Sequence, residues 1–93
     1  MIPDLAIATI KEFEGFSLSA YRCPAGVWTL GYGCTRLNGR PVREGDLILS
    51  ESDGDHLLRQ QLENDFLPKL QIIPGWDEMT EGKQSALLSF AWN

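Results

Sequence analysis

Two side chains capable of acid–base or hydrogen-bonding chemistry lie in residues 13–35, which read FEGFSLSAYRCPAGVWTLGYGCT. Glu14 stands at the predicted end of a helix beside Phe13 and Phe16, and partial burial there would raise the pKa of its carboxyl. A glutamate that stays protonated near neutral pH can act as a general acid. The Thr29 hydroxyl, on a predicted strand, can hydrogen-bond a water molecule or a sugar. From the residues alone, a solvated helix-end carboxylate and an ordinary strand threonine remain open alternatives.

The spacing of apolar residues, which predicts the elements that would position these side chains, changes at Gly15. Before it, apolar residues recur at helical spacing after an N-terminal proline and aspartate, which predicts a helix over about residues 3–14. After it, aromatic and β-branched residues interrupted by proline and glycine predict two or three short antiparallel strands over about residues 18–36. Residues 36–49 contain an Asn-Gly turn signal and are predicted to form mostly loop.

The remaining chain is predicted to be helical. Apolar residues repeat every four positions over about residues 51–71, with Ser50 as the predicted N-cap. Pro68 lies inside this helix and predicts a kink or an early end. Thr80 can cap a last helix over about residues 81–92. The chain is therefore predicted to be one α+β domain that is mostly helical.

The composition excludes several classes of partner. The formal net charge is −5 and the basic residues are scattered, which argues against nucleic acid, since binding there depends on neutralising phosphates. No apolar run approaches the ~18 residues of a membrane span. The N-terminus lacks the basic and apolar pattern of a secretory signal. We therefore expect no nucleic-acid partner and no membrane span, and a protein that either acts in the cytoplasm or is carried out of it by another component.

The histidine and the cysteines predict neither a metal site nor a cofactor. His56 is the one histidine and is interpreted as a surface residue of the long helix. Cys23 and Cys34 fit no zinc-binding spacing. They could lie on neighbouring strands, so a disulfide between them remains open, although no feature of the sequence indicates an oxidising compartment.

Residues 13–35 resemble the active-site region of the phage-type lysozymes, glycoside hydrolase family 24. That family carries the motif E-x8-D-x5-T, with a G-x-G-H run after it. Here Glu14 and Thr29 match the glutamate and the threonine, and Cys23 occupies the aspartate position. Cys34 stands where many members have histidine. The long helix and the last helix resemble the family's connecting helix and the start of its central helix, which implies a lysozyme-like α+β fold.

The resemblance implies a peptidoglycan muramidase that hydrolyses the β-1,4 bond between N-acetylmuramic acid and N-acetylglucosamine. Glu14 would protonate the leaving oxygen, Cys23 would stabilise the developing charge or guide water, and Thr29 would help to place that water. Trp28 and Tyr32 of the same hairpin are the predicted substrate-binding residues. The partner would be a peptidoglycan glycan strand, and the protein would be cytoplasmic until it is released to the cell wall. A catalytically weakened wall-binding module and a structural protein that reuses the fold remain the alternatives.

Apolar side chains surround nearly the whole circumference of the predicted last helix. A helix that is apolar all round belongs in an interior, and the resembling family wraps this helix with further helices. We therefore expect the chain to be part of a longer lysozyme, truncated at the C-terminal lobe. That lobe, or a second copy of the chain, would then cover Leu87, Leu88 and Trp92.

Overall fold

The computed structural model describes residues 1–92. Its backbone divides into two compact units. The first unit consists of Met1–Phe13 and the described residues from Arg59 onward, and the second is Glu14–Leu58. All the residues predicted to carry chemistry lie in the second unit, so the first is described only as far as the predictions require.

The first helix, α1, spans Asp4–Phe13, in line with the prediction. Its buried side chains are Ala6, Ile7 and Ile10. Because residues three and four positions apart share one face of a helix, these side chains form a single apolar stripe. Within the first unit, α1 packs against the last helix, α4, which spans Glu81–Trp92.

The helix predicted over residues 51–71 is built from three segments. They are α2, Glu51–Gln61; a π-helical turn, Leu62–Phe66; and α3, Leu67–Leu70. The Leu67 N–H donates to the Leu62 carbonyl and closes the wider turn. Pro68 explains the change, since it has no N–H to donate and its ring would clash with the carbonyl four residues earlier in a regular α-helix. The predicted disturbance at Pro68 is confirmed in this form.

Polar side chains cap the two long helices. At the start of α2, the Asp53 N–H donates to Ser50 Oγ at 3.2 Å, and the Leu49 N–H donates to Asp53 Oδ2 at 3.1 Å. At the start of α4, the Lys83 N–H donates to Thr80 Oγ1 at 3.2 Å. Each cap satisfies a backbone N–H that has no partner inside the helix. Both helices therefore begin where the sequence predicts.

Exposure differs around α4. Leu88 is fully buried, whereas Leu87 and Trp92 are half-buried and Phe90 is 80% exposed. The expectation that Leu88 requires cover from outside the chain is wrong, because the packing of α1 and the π-helical turn onto α4 already buries it. The cover predicted for Leu87 and Trp92 stays a prediction. Within residues 1–92, no helix has both the length and the apolar character needed to cross a membrane.

The β region of the second unit contains two antiparallel hairpins. The strands are β1, Ser17–Arg22; β2, Trp28–Gly31; β3, Arg36–Leu37; and β4, Arg40–Pro41. The sequence predicts that residues 36–49 are mostly loop with a tight turn at Asn38-Gly39, and the structure adds the two-residue strands β3 and β4 on either side of that turn. Asn38 and Gly39 have φ angles of 52° and 82°. A two-residue type I′ turn needs such positive angles, and its twist matches that of the strands it joins.

An ion pair holds the segment after β4. Arg40 donates from Nη1 and Nη2 to the two carboxylate oxygens of Asp46, at 2.8 Å each, and the Arg43 N–H adds a third bond at 2.9 Å. The backbone of the same segment pairs with β1, where the Ala20 N–H donates to the Asp46 carbonyl at 2.8 Å. The segment therefore supports the free edge of β1.

Buried apolar side chains occur in both units. The first unit buries Ile2, Ala6, Ile7, Ile10, Leu62, Leu67, Trp76 and Leu88, and the second buries Leu30, Tyr32, Cys34, Val42, Ile48, Leu57 and Leu58. Three of the second set, Leu30, Tyr32 and Cys34, come from β2 and the turn after it. The hairpin that carries the candidate site is therefore anchored by its own buried residues.

Candidate active site

Glu14 lies outside regular structure, in the connection of residues 14–16 between α1 and β1. Its side chain is half-buried, and burial raises the pKa of its carboxyl. Removing water from a carboxyl disfavours its charged form. Glu14 is therefore better suited than an exposed glutamate to hold a proton near neutral pH, which is the state that a general acid needs.

Cys23 directly follows β1 and opens the turn to β2. The turn is closed by the Gly26 N–H donating to the Cys23 carbonyl at 2.8 Å, and by the Cys23 N–H donating to the Val27 carbonyl at 3.0 Å. Hydrogen bonds from the backbone N–H groups of Val27, Ala25 and Gly26 and from the Thr29 hydroxyl hold the pKa of the half-exposed thiol below its usual range. These donors favour a thiolate, which can act as a nucleophile or as a fixed negative charge.

Thr29 lies on β2, paired with Tyr21 of β1. It is 4% exposed, and its hydroxyl donates to the Val27 carbonyl at 2.9 Å while lying beside the Cys23 sulfur. The structure therefore brings two of the three predicted catalytic residues together at the turn of one hairpin. The role of Thr29 in placing a water molecule stays a prediction.

Trp28 pairs with Arg22 across the same hairpin. The guanidinium carbon of Arg22 lies 5.2 Å from the centre of the Trp28 ring, a distance at which a cation and an aromatic face attract. The indole is half-buried. Arg22 thus covers one face of the Trp28 indole. The contact of Trp28 with substrate stays a prediction.

Tyr32 lies in the turn that follows β2 and is 6% exposed. Its hydroxyl donates to Glu51 Oε2 at 3.1 Å, and its ring centre lies 4.7 Å from that of Phe16, with a tilt of 46°. A side chain this deeply buried offers little surface to a sugar. Its substrate contact stays a prediction, and the contacts described here are those of a residue that holds others in place.

Cys34 is fully buried two residues after Tyr32. Burial raises the pKa of its thiol to about 12, and the negative charge of Glu14 adds to the shift. Cys34 is therefore uncharged at neutral pH, and it lies near enough to Glu14 for that charge to act on its thiol, a proximity that the sequence did not predict. Both Cys23 and Cys34 are free thiols in the structure, so the disulfide left open by the sequence is not formed.

Sequence reasoning placed Phe16 beside Glu14 but missed its contact with Gly54, and it assigned no role in this region to Glu51 or Gly54. A Cβ atom added at Gly54 of α2 would lie 2.5 Å from Phe16 Cε1, closer than real Cβ contacts allow. A glycine inside a helical pattern is the signal that could have indicated this close approach. Nothing in the sequence distinguishes Glu51 from the other acidic residues of the same helix.

The single histidine, His56, is exposed on α2, as predicted. Among residues 1–92, no three histidine, cysteine, aspartate or glutamate side chains are grouped so that they could hold a metal ion.

Sequence relatives of this chain are phage proteins. Residues 11–93 match the family model described as phage lysozyme. The chain is 33% identical over 93 residues to an endolysin of Acyrthosiphon pisum secondary endosymbiont phage 1, covering 99% of this chain and 58% of that protein. It is 42% identical over 89 residues to a SAR-endolysin of Escherichia phage 933W, covering 95% of this chain and 48% of that one. The chain thus spans about half the length of these relatives.

Solved structures resemble the chain over its whole length. An endolysin from the Escherichia coli O157:H7 phage FAHEc1 superposes with a TM-score of 0.79 at 29% identity, covering 100% of this chain and 57% of that one. The muramidase domain of SpmX from Asticaccaulis excentricus gives 0.71 at 31% identity, with coverage of 100% and 58%. These neighbours have the predicted α+β lysozyme fold. Sequence and structure agree that the chain belongs to the phage lysozyme family.

Proposed function

We propose that this chain supplies the catalytic region of a peptidoglycan muramidase, which hydrolyses the β-1,4 bond between N-acetylmuramic acid and N-acetylglucosamine. The observation that carries the proposal is the half-buried Glu14, whose raised pKa favours the protonated carboxyl at the family's glutamate position. The relatives named as endolysins and the neighbour named as a muramidase domain support the same class of substrate. The protein would act on the cell wall after release from the cytoplasm.

Glu14 is assigned the role of general acid. Its proton passes to the glycosidic oxygen as the bond to the sugar carbon breaks, and the sugar develops the positive charge of an oxocarbenium ion. Protonation of the leaving oxygen contributes on the order of 10²–10⁴ in rate. Water then adds to the sugar carbon, and the proton it loses restores the acid.

Cys23 is assigned to the second catalytic position, with Thr29 beside it. A thiolate there opposes the positive charge on the sugar ring, as a carboxylate would, and it can also attack the sugar carbon. The backbone donors around the sulfur support this role, because they favour the charged form of the thiol. The Thr29 hydroxyl, within reach of the same sulfur, is assigned to orienting the incoming water.

The test is release of reducing sugar from purified peptidoglycan by the parent protein and by Glu14→Gln. The substitution keeps the shape of the side chain and removes the transferable proton, so the rate should fall by a factor on the order of 10²–10⁴. Glu12→Gln is the matched control, because Glu12 is an exposed residue of α1. Its rate should equal that of the parent. Parental activity in Glu14→Gln would show that Glu14 is not the acid.

The same assay separates the alternatives retained from the sequence. A wall-binding module would sediment with peptidoglycan and release no sugar. A structural protein that reuses the fold would neither bind nor cleave. Sugar release that depends on Glu14 would support the muramidase alone.

A further inference from the structure

The position of Glu14 raises the question of what holds it. Residues 14–16 belong to neither α1 nor β1. A proton donor misplaced by about 1 Å can lose on the order of 10² in rate. Side-chain contacts that hold this connection would therefore help Glu14 to work as a general acid.

The connection runs alongside the turn that follows β2. Ser17, the first residue of β1, pairs with Gly31, the last of β2. One residue beyond that pair on each strand, the rings of Phe16 and Tyr32 are in contact at 4.7 Å. Three residues beyond it, Glu14 acts electrostatically on Cys34. After Gly31 the chain turns back, and Cys34 pairs with Leu30 of β2. The contact between Phe16 and Tyr32 therefore ties the connection to this turn.

The start of α2 holds both aromatic rings. Tyr32 is buried, and its hydroxyl donates to Glu51 Oε2 at 3.1 Å. Phe16 lies directly against Gly54, where an added Cβ would be 2.5 Å from Cε1 and 3.4 Å from both Cδ1 and Cζ. The same glycine approaches the hairpin backbone, since a Cβ added at Gly31 would lie 3.5 Å from the Gly54 Cα.

Gly54 also lowers the stability of the helix in which it lies. A glycine inside a helix destabilises it by roughly 0.5–1 kcal/mol relative to alanine. That cost is offset where a side chain must approach the helix backbone, and Phe16 is the side chain that does so here. The Phe16 ring therefore lies against both the α2 backbone at Gly54 and the Tyr32 ring.

We infer that Phe16, Tyr32, Glu51 and Gly54 form a positioning cluster that fixes Glu14 for proton transfer. None of the four would touch the reacting atoms. They act through the backbone of residues 14–16 by locking the ring of Phe16. This inference rests on the proposed role of Glu14 as general acid.

The main test is Gly54→Ala, assayed on soluble peptidoglycan fragments so that kcat and KM separate. The new methyl group displaces the Phe16 ring, so kcat should fall roughly tenfold to a hundredfold with little change in KM. Gly82→Ala is the matched control, because Gly82 also lies in a helix but an added Cβ there would meet only Thr80 Oγ1, at 4.0 Å. Its kcat should equal that of the parent.

Two further readouts distinguish positioning from a loss of folded protein. In Gly54→Ala/Phe16→Leu, the smaller side chain leaves room for the methyl group, so kcat should recover part of the loss. In Gly54→Ala alone, the limb of the pH–rate profile on which the general acid loses its proton should move to lower pH, because a displaced carboxyl regains water. Partial unfolding would lower kcat without moving that limb.

The hydrogen bond between the Tyr32 hydroxyl and Glu51 can be tested independently. Glu51→Gln keeps an acceptor oxygen for the Tyr32 hydroxyl and should retain most of kcat, whereas Glu51→Ala and Tyr32→Phe should each lower it several-fold. A rise in KM for Tyr32→Phe at constant kcat would instead make Tyr32 a substrate contact and would overturn its place in the cluster.

The outcomes separate this inference from the proposed function. If Glu14→Gln is inactive while folded Gly54→Ala keeps the parental kcat and pH–rate profile, the cluster does not position Glu14 and the muramidase proposal stands. If Glu14→Gln keeps the parental rate, both the role of Glu14 and the positioning inference fail.

Discussion

The hydroxyl of Thr29 lies within hydrogen-bond reach of the Cys23 sulfur, across the turn that joins β1 and β2. The same hydroxyl donates to the Val27 carbonyl at 2.9 Å. One hydroxyl proton can serve only one of these acceptors at a time. Ionisation of the thiol would draw that proton toward the sulfur, so the charge state of Cys23 and the orientation of Thr29 are coupled.

The two cysteines should differ sharply in reactivity toward an alkylating reagent. The lowered pKa and half-exposed position of Cys23 favour attack, whereas burial raises the pKa of the Cys34 thiol to about 12. Iodoacetamide at about pH 8 should therefore label one cysteine per folded chain, and peptide mass spectrometry should locate it at Cys23. Labelling in denaturant should reach both. Equal labelling rates in the folded protein would contradict the burial of Cys34.

Substitutions at Cys23 should follow the charge of the side chain. Cys23→Asp restores the carboxylate that the family motif carries and should raise sugar release, or at least preserve it. Cys23→Ala removes the charge and should lower the rate. The measurement is initial rate against pH, and the parent should lose activity as the pH falls and the thiolate takes up a proton. If Cys23→Ala matches the parent, the residue has no part in the reaction.

The Arg40–Asp46 pair should make stability depend on acid pH. The Arg40 guanidinium and the Arg43 N–H lower the pKa of Asp46 to about 2 from its usual value of 3.8. Between these values the unfolded chain binds more protons, so the contribution of the pair is complete above about pH 4 and is lost as the pH falls through 2. Thermal unfolding between pH 5 and 2 should show a smaller decline in melting temperature for Asp46→Asn than for the parent.

A matched variant separates the effect of the ion pair from the unfolding that low pH causes in the rest of the chain. Asp77 is an exposed aspartate of the first unit. Asp77→Asn should therefore follow the parent across the same pH range. Identical slopes for Asp46→Asn and the parent would mean that the ion pair contributes nothing measurable.

Two apolar residues of α4 should differ in their effect on stability. Leu88 is fully buried, so Leu88→Ala leaves a cavity and should lower the free energy of unfolding by about 2–5 kcal/mol. Phe90 on the same helix is 80% exposed, so Phe90→Ala should change it by less than about 0.5 kcal/mol. Urea denaturation measures both. A large loss in Phe90→Ala would show that this side chain is covered in solution.

The sequence by itself determined the elements and the motif. The apolar stripe of α1, the caps at Ser50 and Thr80 and the interruption at Pro68 are encoded by side chains within a few residues of the features they cause. The spacing of Glu14, Cys23 and Thr29 likewise identified the family without coordinates. Such signals are readable because their physical causes are local hydrogen bonds and backbone sterics.

Only the tertiary structure decided which side chains meet around Glu14. Two contacts join residues that are far apart in the chain: the hydrogen bond from Tyr32 to Glu51 and the contact of Phe16 with Gly54. The burial of Cys34 likewise depends on the folded chain. These contacts form where the start of α2 meets the hairpin region. The hydrophobic periodicity of a segment does not show which other segment its buried face will contact. The raised pKa of Glu14 and of Cys34 likewise depends on burial in the folded chain, because burial removes water from the two groups.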